Sequence, residues 1–377
     1  MTSKGLEGVV AAETTLSKVF GEEGRLVYAG YEIEDLAANA SFEEVCWLLW
    51  NGELPTTEQL EQLSAELSAA ASIDDRIIDI LRLAPADTHP MATLRTAASA
   101  LGFYDPEAED MSDAANRRKA VRITARIPTI TAAIDRVRKG LEPIEPDPSL
   151  RLGGNFLYML TGQAPDGLGA RIVDAALTLH AEHGLNASTF AARVTAATLA
   201  DMHSAVTSAI GALKGPLHGG ANERVMEMLQ KIGSADQAEQ WITAALERKE
   251  KIMGFGHRVY RTTDPRAPIL RDLSGRLGSG ADETPWLDIS EKVVEVMRRE
   301  MDARGKKIYP NVDFFSASVY YTIGIPTDLF TNVFAMARAA GWTAHVIEQL
   351  ADNRLIRPKA EYKGPLGKKV VPIADRG

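Results

Sequence analysis

Seven histidines occur in the 377-residue chain, and two sit where side chains are scarce: His218 in Gly215-Pro216-Leu217-His218-Gly219-Gly220, and His257 in Gly254-Phe255-Gly256-His257-Arg258. Glycine lets a ligand approach the backbone closely, and imidazole suits proton transfer near neutral pH. Two such loops would form a cleft holding two imidazoles; the bland reading is two tight turns that each carry a polar residue. A third group, Asp313, follows Asn311 in Tyr309-Pro310-Asn311-Val312-Asp313-Phe314. Asn311 reads as an N-cap, which places Asp313 in the first turn of a helix, where the dipole favours an ionised carboxylate. An aspartate there is commonly a structural helix-start residue. Facing the same cleft, however, one carboxylate base and two imidazole donors would suit proton abstraction beside a carbonyl, with the enolate held by hydrogen bonds.

From Arg248 to Arg271 the net charge is +5, a basic island in a chain whose total is −9. Arginine suits bidentate capture of carboxylate or phosphate, and Arg338 and Arg357 recur further along. A phosphate-bearing or polycarboxylate ligand would fit these groups. No Walker A loop and no complete Gly-x-Gly-x-x-Gly after a strand occurs, so nucleotide hydrolysis and dinucleotide binding lose their usual support. His180 and His183, spaced i, i+3 around Glu182, offer a metal site as an alternative. That spacing is not the i, i+4 pair of a zincin. Gly184 instead reads as the residue past a helix end, which puts His183 at a helix C-terminus, protonated by the dipole and suited to an anion or to capping carbonyls.

The elements that must position these groups read mostly as helices. Ser41 with Glu44 and Thr56 with Gln59 form capping boxes ahead of apolar residues at helical spacing. The long pattern from Asn116 to Lys139 carries Pro128, which should split or bend it, and its basic run Arg117, Arg118, Lys119, Arg122 and Arg126 reads as a solvated face rather than a nucleic-acid surface. Short strands are expected around Gly8 to Ala11 and Arg25 to Ala29, with Gly21 to Gly24 as a turn. The Pro-rich segment from Leu141 to Leu152 reads as a connection, and the glycine loop around His218 as a hinge.

With 45% hydrophobic and 25% charged residues, the chain can bury an ample core without metals or disulfides. The negative total argues against nucleic acid or an anionic membrane as a partner, so an anionic ligand must be caught locally. The single cysteine, Cys46, lies in an apolar run and reads as a buried thiol, as expected of a reducing cytoplasm. No apolar stretch suits export or membrane spanning, and a cytoplasmic location is the expectation.

Leu179 to Thr189, Gly215 to Asn222, Gly254 to Tyr260, Asp264-Pro265-Arg266 and Pro310 to Phe314, in that order, closely resemble the motifs of the citrate synthase family. The resemblance runs from about Gly5 to Pro358 and is strongest to the short bacterial and archaeal form. It implies a mainly α, two-domain helical fold with a small N-terminal β element, in a homodimer. Residues 1–220 and 325–377 would make a discontinuous large domain, and 221–324 a small domain that closes over the substrates. It further implies that Asp313 removes a methyl proton from acetyl-CoA while His218 hydrogen-bonds the thioester oxygen, and that His257 polarises the ketone of oxaloacetate. His183, Arg266 and Arg338 would bind the oxaloacetate carboxylates, with Arg357 reaching in from the partner subunit. Asn186 and Ser188 would order the substrates or the water, although this chain has one residue fewer between His183 and Asn186 than the mitochondrial type. Ile252, Gly254, Gly256, Arg261, Lys306 and Lys307 would contact coenzyme A. No tightly bound cofactor and no metal is implied, and without the N-terminal extension of the large hexameric bacterial enzymes no control by NADH is expected.

The nearest rival is 2-methylcitrate synthase, which uses propionyl-CoA, because one methylene is worth only about 1–3 kcal/mol of discrimination in an apolar pocket. A metal-dependent hydrolase on His180, His183 and Glu182 and a non-enzymatic helical interaction protein complete the alternatives.

Overall fold

The computed structural model describes residues 4–278 and 285–376. Near the N-terminus β1 (Ser17–Phe20), β2 (Arg25–Tyr28) and β3 (Tyr31–Glu32) form an antiparallel sheet in that order, Ser17 facing Tyr28 and Val27 facing Glu32. The turn falls at Gly21 to Gly24, as the sequence indicates, with Gly24 at φ +68°. The expected strand at Gly8 to Ala11 does not form. Gly8 adopts φ +74° and Val9 and Val10 are exposed, while Ser17–Phe20 takes the edge beside β2.

Nearly all other regular structure among the described residues is helical. A first series comprises α1 (Ile33–Asn39), α2 (Phe42–Asn51), α3 (Thr57–Ala70), α4 (Asp75–Arg82), α5 (Pro90–Ala100), α6 (Asp113–Arg138), α7 (Leu152–Thr161), α8 (Gly167–His180), α9 (Ala187–Ala196) and α10 (Met202–Leu213). A second comprises α11 (Ala221–Ile232), α12 (Ala235–Glu247), α13 (Arg266–Gly278), α14 (Trp286–Ala303) and α15 (Val312–Thr322), and α16 (Phe330–Ala351) follows. The two predicted capping boxes open α2 and α3, each with both reciprocal hydrogen bonds.

α6 runs unbroken through Pro128, where the sequence suggests a split or a bend. An interior proline costs about 3 kcal/mol, but burial of Ile123, Ile127, Ile130 and Ile134 contributes about 1.5–3 kcal/mol each and outweighs it. The basic run on this helix is not a freely solvated face. Lys119 is fully buried and donates to the carbonyls of Ala108 and Asp110. Arg117 pairs with Asp113, Arg118 with Glu107, Arg122 with Asp105, and Arg126 donates to the Ala70 carbonyl. The run therefore clamps the segment around Asp105 to Asp110 onto the helix.

α16 is apolar on nearly every side and forms the axis of the body, packed by α2, α6, α8, α9 and α10. Helices α11 to α15 pack chiefly on one another, and they meet the rest mainly through α11 against α16 and α13 against α1 and α8. The chemistry-bearing residues lie where these two groups of helices meet.

Candidate active site

The glycines that flag the two histidine loops are required sterically. A Cβ on Gly219 would stand 2.2 Å from the Leu213 carbonyl oxygen, so the chain can leave α10 and enter α11 past His218 only with glycine there. On the other loop, Gly254 takes φ +76° and packs directly against Phe314 and Val225. Asn311 N–H donates to the Gly254 carbonyl, Gly256 N–H to the Tyr309 carbonyl, and the Asn311 amide side chain to the Gly256 carbonyl. These bonds fasten the His257 loop to the start of α15. Asn311 is the N-cap of that helix, accepting from Asp313 N–H at 3.1 Å, so Asp313 and His257 are placed by the same asparagine.

His183 is not at a helix terminus. α8 ends at His180, and His183 lies three residues further on, before Gly184 at φ +63°. Its ring sits 5.3 Å from that of His257, and its Nε2 bonds the Tyr260 hydroxyl at 3.2 Å. Ser188, fully buried at the start of α9, accepts from Trp342 Nε1 at 3.1 Å and lies 2.8 Å from His218 Nε2. Asn186 caps the same helix and bonds the Ser188 hydroxyl. One buried cluster thus joins His218, Ser188, Asn186 and Trp342.

The two imidazoles are held in opposite senses. His218 Nε2 accepts from the Ser188 backbone N–H, which leaves the ring proton on Nδ1. His257 Nδ1 accepts from the N–H groups of Val259 and Tyr260, which leaves the proton on Nε2. Each ring therefore offers one N–H donor. Burial lowers both pKa values to about 4, with the positive charge of Arg338 adding to the shift of His218 and that of Arg266 to the shift of His257. His183 is pushed well below its ordinary value by burial and then by Arg266, His257 and Arg338. The expectation of a dipole-protonated His183 thus fails, because the ring lies past the helix end, removed from water and beside cations.

Asp313 corrects the sequence expectation in the same way. Burial lifts its pKa to about 6, against the pull of Arg266 and Arg338, although it occupies the first turn of α15. Removal from water overrides the helix dipole, and the result is a carboxylate poised near neutrality.

Arg266 and Arg338 are both buried in the cleft. Arg266 forms two hydrogen bonds, at 2.9 and 2.8 Å, with Asp264, which is itself 1% exposed. Arg338 has no such partner: its Nε donates to the His180 carbonyl at 2.7 Å and its guanidinium lies over Phe334. Burial lowers its pKa to about 10, offset in part by Glu182. Arg357 stands apart from these groups, exposed on the extended segment that follows α16.

A cavity of about 420 Å³ adjoins His257, and Ile252, Gly256, Arg261 and Lys307 all face it. Gly254 is one step removed, against Phe314, and Lys306 is exposed on the approach to α15. Within the basic island, Arg248, Arg266 and Arg271 are committed to Glu250, Asp264 and Glu291. A larger cavity of about 780 Å³ lies between α3, α6 and the start of α7, and contains none of the residues named for chemistry.

The metal alternative does not survive the geometry. His180 Nδ1 donates to the Ala176 carbonyl with its ring against Phe334, and Glu182 accepts from His345 and Ser17. Among the described residues no three of His, Cys, Asp or Glu are placed to hold a metal ion. Asp264, Tyr260 and Trp342 are the site residues that reasoning on individual side chains passes over. The i, i+2 spacing in Asp264-Pro265-Arg266 was the available signal for the first, since it lets an aspartate grip the arginine across a proline turn.

The family model of the citrate synthase C-terminal domain matches residues 5–359. The chain is 50% identical to citrate synthase 2 of Bacillus subtilis, covering 99% of both chains, and 47% identical to the 2-methylcitrate synthase of Mycobacterium tuberculosis, covering 96% of this chain and 90% of that one. It also superimposes with a TM-score of 0.93, at 35% identity and over the full length of both chains, on the Thermoplasma acidophilum citrate synthase solved as a ternary complex with carboxymethyl coenzyme A and oxaloacetate. Fold, motif order and full-length likeness agree, and the chain belongs to the citrate synthase family of acyl-transferring enzymes.

Proposed function

We propose that this enzyme condenses acetyl-CoA with oxaloacetate and water to give citrate and coenzyme A, at the entry to the tricarboxylic acid cycle. The observation that carries the reading is the trio of Asp313, with its pKa raised to about 6, and two neutral imidazoles that each present one N–H. Asp313 takes a proton from the acetyl methyl group while His218 Nδ1–H donates to the thioester oxygen, so charge developing on the enolate meets a preorganised donor. His257 Nε2–H donates to the ketone of oxaloacetate. As the enolate carbon attacks, the His257 Nε2 proton passes to the ketone oxygen, which becomes the hydroxyl of citryl-CoA, and water then cleaves that thioester to citrate and coenzyme A. Arg266, Arg338 and His183 bind the oxaloacetate carboxylates, Asn186 and Ser188 order the reactants, and coenzyme A lies along Ile252, Gly254, Gly256, Arg261, Lys306 and Lys307.

Two further features belong to this reading. The loop at Gly215 to Gly220 serves as the hinge between a large domain, residues 1–220 and 325–377, and a closing domain, 221–324. The protein acts as a cytoplasmic homodimer, with Arg357 completing the partner's site. Exposure of Leu355, Tyr362, Leu366, Val370 and Ile373 on the same extended segment supports a second copy as its resting place, since that much apolar surface is costly to leave in water.

Thiol release from acetyl-CoA in the presence of oxaloacetate tests the activity, and its absence would sink the proposal. A higher kcat/KM for propionyl-CoA would reassign the enzyme as a 2-methylcitrate synthase. Asp313→Asn should abolish condensation yet still bind oxaloacetate, measured by calorimetry.

A further inference from the structure

The N-terminal hairpin touches both histidine segments that meet across the cleft, at opposite ends. At one end Ser17 Oγ donates to Glu182 Oε1 at 3.0 Å and accepts from Gly184 N–H at 3.0 Å. The Tyr28 hydroxyl, facing Ser17 across the sheet, donates to the Glu182 carbonyl at 2.8 Å and accepts from the Glu182 N–H at 3.2 Å. Both neighbours of His183 are thereby held by β1 and β2. At the other end Arg261 N–H donates to the Gly21 carbonyl at 2.9 Å. A Cβ on Gly21 would lie 2.4 Å from the Val259 oxygen, and one on Gly24 would lie 2.8 Å from both the Thr262 methyl and the Thr263 oxygen. The stretch from Val259 to Thr263 is thus trapped between this turn and the ring of His257, whose Nδ1 accepts from Val259 and Tyr260.

The contacts are specific rather than general packing. Gly21 lacks the left-handed φ that would by itself call for glycine, so what excludes a side chain there is the approach of the Val259 carbonyl. Ser17 spends its single hydroxyl on a backbone amide and a carboxylate on either side of His183. Along the covalent chain 73 residues lie between the two histidines. The hairpin spans the same gap with one four-residue strand.

We propose that the β1–β2 hairpin is a positioning element of the active site, with Ser17 and Tyr28 fixing the His183 segment and the Gly21–Gly24 turn fixing the His257 loop. It acts through those segments and touches no reacting atom. The inference rests on oxaloacetate being the ligand held between His183 and His257.

Two variants test it, each assayed by steady-state kinetics and by calorimetric titration of the full-length enzyme with oxaloacetate alone. Gly21→Ala displaces the Val259 carbonyl by about 1 Å, and a shift of that size should raise the oxaloacetate KM and dissociation constant about tenfold or more while lowering kcat. Ser17→Ala removes only the hydroxyl and should raise both oxaloacetate constants about three- to tenfold, with the acetyl-CoA KM unchanged. Glu22→Ala, at the exposed tip of the same turn, is the control and should leave all constants within about twofold. A purely structural hairpin would instead reduce the active fraction, lowering kcat and binding stoichiometry at unchanged oxaloacetate constants; that result, or wild-type behaviour in Gly21→Ala, overturns the proposal. Should Gly21→Ala fail to fold, Ser17→Ala decides by the same criteria. Wild-type protein that fails to bind oxaloacetate would sink the functional reading, whereas normal binding with indifferent variants would sink the hairpin inference alone.

Discussion

Arg266 and Arg338 lie in the same cleft, equally buried, yet they are not equivalent cations. Arg266 is neutralised at close range by Asp264, whose pKa burial alone would raise but which the guanidinium lowers below its ordinary value. Burial alone would lower the Arg266 pKa, and the same carboxylate raises it. Arg338 has only a carbonyl, an aromatic face and the more distant Glu182, so its pKa falls. Arg266 divides its charge between Asp264 and any anion in the cleft, and the pair also sets loop geometry; Arg338 carries positive charge left almost wholly to an anion. An acidic protein can therefore bind a dicarboxylate without a large positive surface, provided one buried guanidinium is left without a full counter-ion.

That comparison can be broken most decisively at Arg266. Arg266→Gln strands Asp264 as an uncompensated buried carboxylate and should cost about 3–5 kcal/mol of stability, read by denaturant unfolding. Adding Asp264→Asn should restore most of that stability without restoring turnover. Arg338→Gln is the contrasting case. It should lose about 2–3 kcal/mol of oxaloacetate affinity, roughly 30- to 150-fold, with stability nearly unchanged; a large loss of stability there would erase the distinction between the two arginines. A smaller effect concerns Asp313. Its folded pKa is raised, so ionising it costs stability above about pH 6 and costs nothing below the ordinary aspartate value. Asp313→Asn should therefore be more stable than wild type by about 1–2 kcal/mol at pH 8, with the gain vanishing near pH 4. The histidines act with the opposite sign: with folded pKa values depressed to about 4 for His218 and His257, stability present above pH 6.5 should drain away as pH falls toward 4. Melting temperatures across that range check it, and a flat profile would mean that the rings are not buried neutral.

What the sequence made legible was local. The capping boxes at Ser41 and Thr56, the Gly21–Gly24 turn and the N-cap at Asn311 depend on residues within four positions of one another, and each forms as read. The order of five motifs carried the family. What was not legible depended on burial or on distant partners. Asp313 does sit in a helix first turn, but desolvation by segments distant in sequence raises its pKa, and His183 lies past the helix end, buried beside Arg266, His257 and Arg338, so both local expectations reverse. The strand placed at Gly8 to Ala11 had suitable residues and no partner, whereas Ser17–Phe20, less apolar, had β2 to pair with. Lys119 shows the same limit, because no local rule puts an amine at 0% exposure among carbonyls.

α16 places Arg338 in the cleft, Gly341 so close to the preceding segment that a Cβ would stand 2.3 Å from the Ala181 oxygen, Trp342 on Ser188, His345 on Glu182, and Gln349 on Arg193. Their spacing of three, one, three and four residues is the period of a helix read along a single stripe. Each residue advances the stripe by about 100°, so one codon inserted or lost between 338 and 349 would turn part of it away from its partners. Point changes along this helix can be repaired one at a time, but an insertion or deletion breaks several contacts together, and gene shuffling or grafting within the family should exchange α16 only as an intact block.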